Sequence, residues 1–125
     1  MSFIMSKIKK RMIVMEQWKR IIIDGEVFDY EVNRDGYVRK VSTGFIPKLS
    51  KNSNGYNKVY LKHRGKQYQF YIHRLVMLMF APVEGCDKLE VDHINTNKDD
   101  NRLENLRWVT HSENVQYYHN EQKIK

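Results

Sequence analysis

From Val27 to Tyr71 apolar and polar positions alternate in short runs broken by turn residues. VFDYEVNRDGYVRKVS (27–42) reads as two strands around Asn33-Arg34-Asp35-Gly36, where Gly36 can take the positive φ of a tight turn. Asn52-Ser53-Asn54-Gly55 and His63-Arg64-Gly65-Lys66 then punctuate NKVYLKH and QYQFYIH, again period-two segments rich in aromatic and β-branched residues. The pattern predicts one small antiparallel sheet across 27–72. At His73-Arg74-Leu75-Val76-Met77-Leu78-Met79-Phe80 alternation gives way to a dense apolar run, which predicts a buried helix ending before Pro82. Residues 88–94 read as a strand, 95–104 as a polar loop and 106–109 as a second strand. A closing helix follows, capped by Thr110 or Ser112 with Glu113 in its first turn. No internal repeat is read along the chain.

The 125 residues fit one domain with a modest core. Residues 1–14, with Met1, Met5 and Met12 among Lys7, Lys9, Lys10 and Arg11, are expected to be a basic extension ahead of the patterned sequence. Those charges interrupt any signal-like apolar run, and no stretch approaches the ~20 apolar residues of a membrane span. The lone Cys86 excludes an internal disulfide and a Cys-x-x-Cys zinc knuckle. A cytoplasmic location fits both points.

Charge sharpens the picture because it is uneven. The net value is +7, yet residues 34–74 hold ten bases (Arg34, Arg39, Lys40, Lys48, Lys51, Lys58, Lys62, Arg64, Lys66 and Arg74) against Asp35 alone. That stretch therefore carries +9 and the rest of the chain −2. Residues 84–104 hold seven acids against three bases. A basic half suits a nucleic-acid backbone, and an acidic half near phosphate needs a divalent cation between the two.

The acidic half also gathers residues able to work on a phosphodiester. Asp92 and His93 end the first strand, Asn105 precedes the second, and His111 and Asn114 lie on the closing helix. Imidazole titrates near neutrality and can take a proton from water, while carboxylate and amide oxygens suit a hard cation. Adjacent strand residues point to opposite faces, so Asp92 and His93 cannot both be placed by spacing alone. His73 is expected to be a packed or capping residue, and Asn95, Asn97 and Asn101 to shape the loop through side-chain bonds to backbone.

VDHINTNKDDNRLENLRWVTHSEN (91–114), preceded by YIHRLVMLMFAP (71–82), closely resembles the HNH endonucleases of the phage and intron-encoded homing type. MEQWKRI (15–21), YEVNRDGYVRK (30–40) and GYNKVYLKHRGK (55–66) resemble the β-rich module that precedes such nuclease domains. The resemblance implies an α+β chain, with a small antiparallel β module at 15–70 for DNA binding and a ββα-metal nuclease domain at 71–125. It implies a metal-dependent endonuclease that nicks one strand of double-stranded DNA, leaving 5′-phosphate and 3′-hydroxyl ends. His93 would be the general base and Asn105 the residue holding the His93 segment and ring. Asp92 and Asn114 would hold one Mg²⁺ or Mn²⁺, with His111 a further candidate ligand. Asn114 stands where the family often has histidine, giving an all-oxygen ligand set. Arg107 would clamp a phosphate and join the ten bases of residues 34–74 as a DNA contact.

The same resemblance implies a phage or mobile-element origin, action as a monomer or weak dimer inside a host cell, and a partner protein if site preference is supplied from outside. Two other readings share the basic stretch: a non-catalytic DNA-binding protein, and an RNA-binding module stacking bases on Tyr37, Tyr56, Tyr60 and Tyr68.

Overall fold

The computed structural model describes residues 17–116. Strands β1 (Trp18–Ile23), β2 (Glu26–Asn33) and β3 (Val38–Lys40) form one antiparallel sheet in that order. β4 (Ser50–Lys51), β5 (Asn57–His63) and β6 (Lys66–Tyr71) form a second. The single sheet expected over 27–72 is thus two sheets, and β1 lies outside that range. The β1–β2 register shifts between Arg20 and Ile22, and Ile21 in that irregularity is fully buried. A bulge of this kind disrupts the period-two pattern by which strands are read.

Hairpin turns set both sheets. Asp24-Gly25 and Arg64-Gly65 each place two successive residues at positive φ, the conformation of a two-residue type I′ turn that matches strand twist. The longer turns at 33–37 and 52–56 are copies of one another. Asn33 Oδ1 accepts from the Asp35 and Tyr37 amides at 3.1 and 2.9 Å, and Asn52 Oδ1 accepts from Asn54 and Tyr56 at 3.0 and 2.9 Å. Gly36 and Gly55 follow at φ 88° and 87°. The chain therefore does contain a short repeat, Asn-x-(Asp/Asn)-Gly-Tyr. Its five residues are too few to stand out from ordinary turn composition.

The helix Ile72–Phe80 begins directly after β6. Ile72, Leu75 and Val76 fall at helical spacing and are fully buried, so one apolar stripe faces the core. The last two strands, β7 (Glu90–His93) and β8 (Leu106–Val109), pair antiparallel, with Asp92 opposite Arg107 and His93 opposite Leu106. A single hydrophobic cluster joins Ile21, Phe28 and Val32 of the first sheet, Val59 and Leu61 of the second, the helix, and Val91 and Leu106 of the last hairpin. The helix is the partner common to all three sheets.

Residues 111–116 are helical. The Thr110 hydroxyl accepts from the Glu113 amide at 3.1 Å and the Glu113 carboxylate accepts from the Thr110 amide at 2.9 Å, a capping box that makes Thr110 the cap. The expected extension at 1–14 lies outside the described residues.

Candidate active site

β7 sorts its residues by face. Val91 and His93 turn inward and are buried, whereas Glu90 and Asp92 share the other face with Arg107 of β8. Asp92 Oδ2 accepts from the Arg107 guanidinium at 2.8 Å. Glu90 collects the closing helix: Asn114 Nδ2 donates to its Oε1 at 2.8 Å and His111 Nδ1 lies 2.6 Å from its Oε2. These bonds, that of Asn114 foremost, hold the Glu90 carboxyl below the usual carboxylate range. Glu90 was not among the residues singled out in the sequence. Its position two residues before Asp92 on one strand was the available signal.

His93 occupies a ring cluster. Tyr56 stacks on it at 5.9 Å between centroids, and His73 lies at 5.0 Å. Its Nε2 is 2.8 Å from Asn101 Oδ1. His73 packs and does not cap, since the helix has no side-chain cap. Burial first, then the neighbouring His93 and Arg74, depresses the His73 imidazole to about 3, and its buried Nδ1 has no partner among the described residues. Burial, with the charges of Asp92 and Glu90, raises the Tyr56 phenol. Tyr56, Tyr71, His73, Glu90 and Asn114 line one cavity of about 310 Å³.

Asn105 ties down the loop after His93. Its Nδ2 donates to Asn95 Oδ1 and the Asp100 carbonyl, at 2.9 and 2.8 Å, and its Oδ1 accepts from the Asn95 amide at 3.0 Å. Asn95 and Asn97 shape the loop as expected, each accepting a backbone amide two residues on. Asn101 differs from expectation: its side chain goes to the His93 ring. Arg102 braces the same loop through Asp100, whose carboxyl that contact holds down to about 2.

The bases of residues 34–74 separate into groups. Lys58 and Lys62 flank Tyr60 on the outward face of β5, and Lys58 is the cross-strand neighbour of Tyr71 at the cavity. Arg34, Lys40, Lys48 and Lys66 are partly or fully exposed. Arg39 pairs with Glu31 and lies over Trp18, Lys51 pairs with Asp99, and Arg64 pairs with Glu26. Arg74 is engaged within the fold. It donates to the carbonyls of Leu89 and Cys86 at 2.8 and 3.0 Å and lies against Trp108, fastening the loop before β7 to the helix.

Among the described residues no group of three or more His, Cys, Asp or Glu side chains could hold a metal ion. The ligand set to be tested is therefore the carboxylate-plus-amide pair. Asp92 uses Oδ2 toward Arg107, and Asn114 uses its Nδ2 toward Glu90, which leaves one oxygen of each without a bond among the described residues. Two hard oxygen donors fit a Mg²⁺- or Mn²⁺-type cation, which keeps several waters.

Comparison with known proteins follows the same residues. An HNH endonuclease family model matches residues 70–116. The chain is 47% identical over 105 residues to an uncharacterized HNH endonuclease of Acanthamoeba polyphaga mimivirus, covering 82% of this chain and 26% of that protein. It is 39% identical over 101 residues to the DNA endonuclease I-HmuI of Bacillus phage SP01, covering 80% of this chain and 56% of the relative. A solved structure concerning DNA binding and cleavage by I-HmuI superposes with a TM-score of 0.72 at 36% identity, covering 85% of this chain and 59% of the other. The chain thus spans between a quarter and somewhat over half of the length of these curated relatives. The chain shares its α+β architecture with I-HmuI, and its residues 70–116 are an HNH endonuclease segment.

Proposed function

We propose that this protein is a metal-dependent DNA endonuclease that nicks one strand of a duplex, its residues 71–125 cutting and its residues 15–70 holding the DNA. The observation that carries the reading is the bond from Asn114 to Glu90, which seats the closing helix on the face of β7 that bears Asp92. Asp92 and Asn114 would hold one Mg²⁺ or Mn²⁺, which when bound neutralises charge at the scissile phosphate and the leaving 3′ oxygen. His93 takes the proton of the attacking water as the oxygen–phosphorus bond forms in line with the breaking bond to the 3′ oxygen. Asn105 keeps the strand end and loop in place, so His93 is presented at a constant position. Products carry 5′-phosphate and 3′-hydroxyl ends.

Lys58 and Lys62 supply phosphate contacts on a strand whose Tyr71 neighbour borders the cavity, so the held duplex leads to the site. Arg34, Lys40, Lys48 and Lys66 extend that contact. The relatives in a phage and a giant virus support a virus-encoded protein acting within its host cell. Among the described residues no helix is long and apolar enough to cross a membrane.

One observation favours a second reading, DNA binding without cleavage: Asp92 is already ion-paired with Arg107. Incubation of supercoiled plasmid with Mg²⁺, Mn²⁺ or EDTA separates the two. Open-circle product with metal, abolished by EDTA, His93→Ala and Asp92→Ala, supports the nuclease. Intact plasmid in every metal together with a gel shift means binding alone.

A further inference from the structure

We infer that Asn101 is a positioning residue that holds the His93 imidazole in the tautomer with its proton on Nε2, leaving Nδ1 as the basic nitrogen. The inference rests on the reading of His93 as general base, and it adds the residue that decides which nitrogen does the work. His93 is 4% exposed and Asn101 7%, and the 2.8 Å contact between Nε2 and Oδ1 is shielded from water. An amide oxygen only accepts, so a neutral imidazole in this contact carries its hydrogen on Nε2. Nε2 is the ring nitrogen engaged in this contact, and Nδ1 is not among the fully buried atoms left without a partner.

The rest of the ring's surroundings fix its plane without choosing a tautomer. Tyr56 stacks on it with planes 28° apart and His73 packs at 49°. His73 makes no hydrogen bond to His93, and Asn105 spends its amide on Asn95 and Asp100. Only Asn101 among the described residues sets the rotation of the ring within its plane.

Asn101 is itself braced from the first sheet. Leu103 N donates to the Arg34 carbonyl at 2.8 Å, and the turn at Gly36 fits so closely that a Cβ there would lie 2.9 Å from Asn101 Cβ. The turn at 33–37, in the proposed DNA-holding half, thus lies directly against Asn101. Partners that orient metal-bound histidines control activity by about 10- to 100-fold, and the low end of that range is the effect expected of Asn101 on His93.

The test reads the tautomer directly, in full-length, metal-free and DNA-free protein labelled with ¹⁵N-histidine, at a pH where the ring is neutral. Long-range ¹H–¹⁵N correlation spectra should show His93 with a protonated Nε2 and a bare Nδ1. Asn101→Asp, an acceptor of similar size, should keep that pattern, and Asn101→Ala should lose it. On plasmid, Asn101→Ala should lower kcat at least tenfold with KM for DNA unchanged. A proton on Nδ1 in the wild type, an unchanged tautomer in Asn101→Ala, or an undiminished kcat there would overturn the inference. If Asn101→Ala fails to fold, the wild-type and Asn101→Asp spectra still decide. Failure of the reading on which this rests is seen separately: cleavage that survives His93→Ala removes His93 as the base, and intact wild-type plasmid in every metal removes the nuclease, while the spectra still report the tautomer.

Discussion

Acidification should destabilise this protein through His73, well above the pH at which its carboxylates protonate. Burial holds the imidazole neutral, with a value of about 3 against an ordinary 6.5. Below pH 6.5 the unfolded chain therefore binds a proton that the folded chain refuses. Stability falls as pH drops through that value and keeps falling until near pH 3. Between pH 7 and pH 5 the loss from this one group is about 2 kcal/mol. With a urea slope of ~1–2 kcal/mol/M, the unfolding midpoint moves down by about 1–2 M. Other groups titrate in the same interval, so the measurement is a comparison with His73→Phe, which keeps a ring beside Tyr56 and Tyr71 and cannot bind the proton. Any constant cost of the larger ring cancels in the pH difference. Wild-type protein should lose about 2 kcal/mol more than the variant. Equal losses would show that His73 takes up its proton without unfolding and that the account of its burial is wrong.

Gly36→Ala should cost distinctly more than Gly25→Ala in urea unfolding. Both positions have positive φ, worth about 1–2 kcal/mol to an L residue, but only at Gly36 does the new Cβ meet Asn101 and Ile72, whereas Gly25 has open space; equal costs would refute that close fit. Lys58→Ala with Lys62→Ala should lower the slope of log affinity for duplex DNA against log salt by about 1.8. Arg74→Ala, by contrast, should lower stability and leave the slope alone, and an unchanged slope in the double variant would remove β5 from the DNA contact. Arg107→Gln should let Mn²⁺ bind several-fold more tightly in calorimetric titration, because a half-buried pair worth up to about 1 kcal/mol no longer competes for Asp92. Weaker Mn²⁺ binding would mean that Arg107 supports the carboxylate rather than competing for it.

Much of this architecture was legible because hydrophobic period and turn chemistry agreed. The helix was expected at 73–80 and runs Ile72–Phe80, and the strand at 106–109 lies where it was read. β1 was missed because its irregular register interrupts alternation at Ile21. The division into two sheets was missed because strand pairing is a long-range property with no local signal. At the candidate site, Asp92, His93, Asn105 and Asn114 were singled out as residue types at set positions. The partners Glu90 for Asn114, Asn101 for the His93 ring and Arg107 for Asp92 depend on which strand face each side chain takes, and only the folded hairpin fixes that. Arg74 shows the converse limit: a charge read from sequence as a DNA contact has internal bonds that only the folded chain reveals.

The junction at Tyr71 and Ile72 has a geometric consequence. One residue ends β6 and the next opens the helix, with no spacer, and one core runs beneath both. On the function proposed above, the fold would act as a ruler: the spacing between a duplex held along β5 and a phosphate at His93 would be set by the β6–helix junction and by the packing of the last hairpin on that helix. A residue inserted at this junction would turn the helix by about 100° relative to the sheet that feeds it, breaking the ruler instead of lengthening it. The loop at 41–49, exposed except for Pro47 and remote in sequence from the junction, is where length can change without disturbing that junction.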